Sequence, residues 1–270
     1  MSVEIPEIVP AGGILATGQS VRRVRPIILP IATVTAALLL WQLAAVRLHI
    51  PTVLLPTPGE IALEMWRALP LLIDQAVPTA LDTLLAFAAA AGLGVGLAIV
   101  ITYSPPLRDM LYPNLVFFQL VPKVALAPLF VIWLGYGSPA RVAFATFISF
   151  FPVVVSAAVG FARTDPAVLQ LCRSLTASEW RSFLLVRFPF ALPAIFGGFK
   201  VAMTMAVVGV IIGEFISSQA GLGHYILNAG SRLDTPDVFA ALGALSVLGV
   251  ALYGAVALAE IGVRRVYGRH

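Results

Sequence analysis

The side chains in this sequence that could carry out chemistry are few and far apart. Its lysines are Lys123 and Lys200, its histidines are His49, His224 and His270, and its one cysteine is Cys172. A nucleotide-hydrolysing P-loop needs Gly-Lys-Ser/Thr. Pro122 precedes one lysine and Phe199 the other, so neither fits. The histidines lack metal-ligand spacing. A single cysteine excludes a disulfide framework and a Cys-based metal cluster, which leaves Cys172 as a small apolar contact residue. Gly92, Gly94 and Gly96 form a Gly-Leu-Gly-Val-Gly string, but no soluble strand–turn–helix unit surrounds it. Small residues there suit close helix packing instead. An intramembrane enzyme would want a facing pair of carboxylates or histidines, and Glu214 has no such neighbour in sequence. No catalytic residue, no metal, no cofactor and no nucleic-acid partner is expected.

What remains is a set of polar groups in apolar surroundings. Lys123 follows Gln119 within a proline-broken apolar zone, and Glu214 leads into Ser217, Ser218 and Gln219. A charge inside a membrane is by default a functional residue. Lys123, Gln119, Glu214, Ser217 and Gln219 are therefore read as lining a translocation path. Two plainer alternatives stand beside this. Lys123 could be held in a structural ion pair or by backbone carbonyls that Pro122 and Pro128 free, and Glu214 could sit at a wet boundary.

The elements that must position these groups are membrane helices. Of 270 residues, 60% are hydrophobic and only 11% charged, against about 45–50% and about 25% in soluble domains. Mean hydropathy is +0.97. Such a chain cannot cover a globule with polar surface, nor is it disordered. Crossing a bilayer takes about 20 apolar residues as a helix. Arg25 and Arg47 bracket 21 uncharged residues, Asp82 and Arg108 25, Arg141 and Arg163 21, and Asp237 and Glu260 22. Two interrupted zones, one from Met110 to about Leu134 holding Lys123 and one from about Leu192 to Phe215 with Lys200 and Glu214 near its ends, bring the count to six. No segment alternates as barrel strands do. The expectation is an all-α, polytopic membrane protein with helices near 26–46, 79–103, 110–134, 140–161, 192–215 and 238–262. The third is broken by Pro113, Pro122 and Pro128.

Six spans put both termini on one side. That side holds eleven arginines and the other four, which places both termini in the cytoplasm. The first apolar run is too long for a signal-peptide core. Residues 1–25 read as a cytoplasmic arm, 26–265 as one transmembrane domain and 266–270 as a tail. The 47–78 connection carries a turn at Pro56-Thr57-Pro58-Gly59, then a helix over Glu60–Leu69. Its apolar face, Ile61, Met65 and Leu69, suits the membrane surface or an external partner.

The longest cytoplasmic connection, 163–189, starts a helix at Asp165-Pro166 and carries Trp180 and Phe183. Its helical pattern and aromatic side chains read as a docking element anchored by burial of Trp180 and Phe183. A secondary carrier or channel remains the alternative, although carriers often show paired broken helices and only one zone is strongly broken here.

This connection resembles the signature of binding-protein-dependent ABC importer permeases: Glu-Ala-Ala, three residues, Gly, nine residues, Ile-x-Leu-Pro. Gln170-Leu171-Cys172, Thr176 and Val186-Arg187-Phe188-Pro189 keep that spacing. Ala177-Ser178-Glu179-Trp180, Pro122-Lys123-Val124-Ala125-Leu126-Ala127-Pro128, Gly213-Glu214-Phe215 and Gly221-Leu222-Gly223 are similar to other stretches of the family. The resemblance covers about residues 50–265 and is closest to the nitrate, sulfonate and taurine importers. It implies a type I importer permease fold in a bacterial inner membrane. Implied partners are two ATPase subunits, a periplasmic or lipid-anchored solute-binding protein and a second permease copy, a homodimer. The solute would be a small anion or organic nutrient. The ATPase-coupling residues would be Gln170, Leu171, Cys172, Arg173, Thr176, Ala177, Ser178, Glu179, Trp180 and Phe183. Thr176 stands where the family has glycine, so the bend expected there meets a residue poorly suited to it.

Overall fold

A computed structural model describes residues 18–176 and 178–267, with side chains from 29 onward. Residues 1–17, Ala177 and 268–270 lie outside the described residues, and with them most of the expected N-terminal arm and C-terminal tail. The chain divides into two units, residues 1–60 and 61–270.

In the first unit α1 spans Gly18–Arg47. It begins eight residues earlier than the charge-free run, because arginines do not stop a helix. The start of α2 (Pro58–Arg67) is set by a capping box. Thr57 Oγ1 accepts the Glu60 N–H at 3.2 Å, and Glu60 Oε2 accepts the Thr57 N–H at 2.8 Å.

The second unit is helical throughout its described residues, in the order α3 (Leu69–Tyr103), α4 (Pro105–Leu120), α5 (Ala127–Leu134), α6 (Ser138–Ala162), α7 (Pro166–Ser174), α8 (Glu179–Ser182), α9 (Phe188–Ser217), α10 (Leu222–Ser231) and α11 (Thr235–Tyr267). Three helices form its centre: α6 packs along α9, and α3 packs on both. Small residues let them approach. A Cβ on Gly209 would press within 2.7 Å of the Ala145 Cα, and one on Gly198 within 2.6 Å of the Ser156 Cβ. Of the three glycines near residue 94, only Gly94 meets a neighbour, Val153 of α6, and the other two face open space. The packing role expected of that string belongs to one residue.

Across the described residues, five helices are long and apolar enough to cross a membrane, and a sixth span results if a bent pair is counted as one. That pair is the third zone: α4 meets the stretch Lys123–Leu134 at 91°. Pro122 cannot donate a backbone hydrogen bond, and Pro128 is tolerated only in the first turn of a new helix. The chain therefore leaves α4 at Val121 in extended geometry, makes one 3₁₀ turn over Lys123–Leu126, and restarts as α5.

The other spans correct the expected limits. Helix α3 starts ten residues before position 79 and carries Pro78 and Asp82 inside it. Charges end a span only when they face water or lipid, and Asp82 does neither. Helix α10 was not anticipated, since its ten residues are too short for a span. The apolar face of α2 is used inside the protein as well: Met65 packs with Leu72, Leu222, Tyr225 and Ala240, while Trp66 stays 76% exposed. Helix α9 continues from α8 through one π turn, Phe183–Arg187, in which the Phe188 N–H reaches back five residues to the Phe183 carbonyl.

Candidate translocation path and coupling loop

The stretch between α6 and α9 is built by three local devices. Asp165 caps α7, its Oδ1 accepting the Ala167 N–H at 2.8 Å, with Pro166 in the first turn. The helix ends through Leu175 and Thr176, whose N–H groups bond the Leu171 and Arg173 carbonyls. Thr176 takes φ +56°, the left-handed geometry that favours glycine. The bend is therefore made despite the β-branched residue. Ser178 then caps α8 by accepting the Arg181 N–H at 3.3 Å. Across the bend, Arg173 Nε and Glu179 Oε1 lie 3.3 Å apart, both well exposed, so the pair contributes at most about 1 kcal/mol.

Trp180 and Phe183 part company. Trp180 is 64% exposed, whereas Phe183 is 2% exposed. Phe183 sits in the core of this unit against Phe161 and Tyr103, with ring centroids 5.5 and 5.9 Å away. It holds the loop on the bundle and cannot reach a partner, which corrects its expected role as a docking anchor. Its other face carries the Trp180 ring, stacked at 5.6 Å. The residues turned outward are Gln170, Leu171, Arg173, Leu175, Thr176, Ser178, Glu179 and Trp180, and Cys172 is half-buried. Leu175, 70% exposed, was not singled out from sequence. Its offset of four from Leu171 on α7 was the available signal.

At the opposite end of α9, Glu214 is 1% exposed and fully partnered. Its Oε1 accepts the Thr79 hydroxyl at 2.7 Å and its Oε2 the Gly223 N–H at 2.7 Å. The Thr79 oxygen in turn accepts the Leu222 N–H at 2.9 Å, and Gln75 Oε1 accepts the Gly221 N–H at 2.8 Å. Three backbone donors that open α10 are thus satisfied from α3 and α9. A negative carboxylate at a helix N-terminus is favourable in itself. Gly221 has φ +109°, and a Cβ there would collide with the Glu214 carboxylate.

Beside this lies a second buried group that sequence reasoning took for span boundaries. Arg141 and Asp82 form an ion pair, Nη2 and Nε each 2.7 Å from Oδ2, both under 10% exposed. Ser138 donates to Asp82 Oδ1 at 2.5 Å, and Arg141 Nη1 donates to Ser218 at 3.1 Å. Glu214, Ser217, Gln219, Arg141 and His224 border one cavity of about 630 Å³.

Lys123 is elsewhere. Its Nζ donates to the Gln119 carbonyl at 3.1 Å and lies 5.3 Å from the Phe151 ring centroid. With Gln119, Ser156 and Met205 it borders a separate cavity of about 450 Å³. The five sequence-selected path residues thus fall into two groups, and Lys123 and Glu214 have different partners. Lys200, the other lysine, meets Glu260 of α11 at 2.5 Å, and Arg264 closes the same carboxylate at 2.8 Å. Among the described residues no three metal-ligating side chains converge.

The comparisons with known proteins agree with this architecture. The family of binding-protein-dependent transport system inner membrane components matches residues 67–266. The riboflavin transport system permease of Chloroflexus aurantiacus is 31% identical over 230 residues, 84% of this chain and 86% of that protein. The taurine transport system permease of Escherichia coli is 27% identical over 252 residues, 91% and 89% of the two chains. A structure of the inward-facing MetNI methionine ABC transporter shares the fold, with a TM-score of 0.62 at 16% identity over 74% of this chain and 98% of that one. In this family the permease works with a binding protein and with separate subunits that hydrolyse ATP. The chain belongs to the inner-membrane permeases of binding-protein-dependent ABC importers.

Proposed function

We propose that this permease carries a small anion or small polar organic nutrient, entering by the cavity at Glu214, Ser217 and Gln219 and passing Lys123 and Gln119 at the break between α4 and α5. The observation that carries the reading is Lys123. It has ammonium donors beyond the one given to Gln119, borders a cavity, and has no carboxylate partner among the described residues. Relatives named for taurine and riboflavin transport fit a small solute with polar or anionic groups. Two copies of the chain would enclose the path as a homodimer. Residues 163–189 would dock on the ATPase subunits, and both termini would face the cytoplasm, as the arginine distribution supports.

Reconstitution with the ATPase subunits and binding protein tests the path. Lys123→Met should cut uptake at least tenfold while the complex still assembles, and wild-type uptake with wild-type affinity would remove Lys123 from the path. Sidedness is checked separately in a Cys172→Ser background. A cysteine at position 232 should react from the periplasmic side only, and labelling from the cytoplasm alone would reverse the topology.

A further inference from the structure

A cavity of about 700 Å³ lies where α3 ends, α4 begins, α6 ends and α7 starts, at the opposite end of α9 from Glu214. The path does not use it. Ile101, Val159 and Leu169 give it apolar lining, and Arg108 and Arg187 line it with charge. The charged lining is underused. Arg187 is half-buried over the Tyr103 ring at 5.3 Å and pairs with no carboxylate among the described residues. Asp109 is the carboxylate on the rim. It pairs with Arg108 at 3.1 Å, which leaves the cavity one net positive charge.

We propose that this cavity binds a phosphate-bearing anion, with Arg187 and Arg108 as the charged donors. Arginine forks match phosphate oxygens in pairs. The depth fits as well. The cavity sits where α3 and α6 stop, at the edge of the hydrocarbon, and basic pockets at that level accept lipid headgroups. A phosphodiester headgroup with its chains against Ile101, or a free phosphomonoester, would satisfy the same groups. Either occupant would brace α7 against the turn between α3 and α4. That bracing bears on transport only if the loop couples to the ATPase, whereas the binding itself does not depend on that reading.

The test uses the purified permease–ATPase complex in phosphatidylcholine nanodiscs. One arm measures retention of added phosphatidylglycerol by native mass spectrometry. The other measures binding of glycerol 3-phosphate by calorimetry. Wild type should bind at least one of them. Arg187→Gln should weaken that binding about tenfold or more, the scale of a charge-assisted hydrogen bond, and Arg108→Gln, at an exposed position, should weaken it without touching the core. Arg187→Lys should restore part of it, and Arg181→Gln on exposed α8 should change nothing. Phosphatidylglycerol alone would identify a lipid site, and glycerol 3-phosphate alone a soluble ligand. Binding of neither, or equal binding by wild type and the Arg108→Gln, Arg187→Gln double variant, overturns the proposal.

Discussion

The two ends of α9 solve opposite problems. At its C-terminal end, Glu214, Thr79, Asp82 and Arg141 are polar groups taken inside, each with partners supplied by the same chain. At its N-terminal end, Leu171, Leu175 and Trp180 are apolar groups left largely exposed among the described residues. The first end is complete in one subunit. If the loop docks on an ATPase subunit as proposed, Trp180 at the second end would carry much of that interface's energy, as aromatic anchors do. Burial alone therefore does not rank residues by function here.

Single changes should separate the two ends, the largest effect first. Arg141→Met leaves Asp82 buried without its cation and should cost about 3–5 kcal/mol, read as thermal unfolding in detergent. Arg141→Met with Asp82→Leu should recover much of that loss, and no recovery would mean that the pair does more than neutralise itself. Next, Phe183→Ala should destabilise the permease by about 3–5 kcal/mol. Trp180→Ala should change stability by less than about 0.5 kcal/mol yet weaken ATPase assembly at least tenfold. Equal assembly in Trp180→Ala would erase the contrast drawn here.

Glu214→Ala removes the acceptor of the Gly223 N–H and of the Thr79 hydroxyl and should cost about 2–3 kcal/mol. Glu214→Gln keeps one carbonyl acceptor and should cost about half as much. Hydrogen exchange of the α10 amides is the readout, and protection unchanged in Glu214→Ala would show that α10 does not rest on this carboxylate. The smallest change runs the other way. Thr176→Gly relieves a β-branched residue of φ +56° and should stabilise the loop by about 1 kcal/mol. A Tm unchanged or lowered would show that the Thr176 side chain compensates for its backbone.

The spans were legible because about 20 apolar residues leave few options in lipid, and the broken third span because Pro122 and Pro128 flank a cation. Span limits were not legible. Counting from charge to charge assumes that a charge marks water, and Asp82, Arg141, Lys200 and Glu260 violate this by pairing across helices. Glu214 stood out as a lone carboxylate in an apolar run. Its partner Thr79, 135 positions away, did not, since a threonine in a hydrophobic helix carries no signal until the fold brings it near. Phe183 and Trp180 look alike in sequence, three residues apart, and a helix of uncertain register cannot say which one turns inward.

That register is fixed by the π turn over Phe183–Arg187, which acts as one extra residue in a helix otherwise continuous from Glu179 to Ser217. Each residue of an α-helix turns the chain by about 100°. Deleting Leu185, 75% exposed, would let an ordinary α-helix form through the turn. Everything before it would then swing by about 100° while Phe188–Ser217 stayed in place. One codon would re-aim the indole of Trp180 and, with it, turn Phe183 away from Phe161 and Tyr103. The extra residue of the π turn is thus what lets one short helix keep Phe183 inward and Trp180 outward at once.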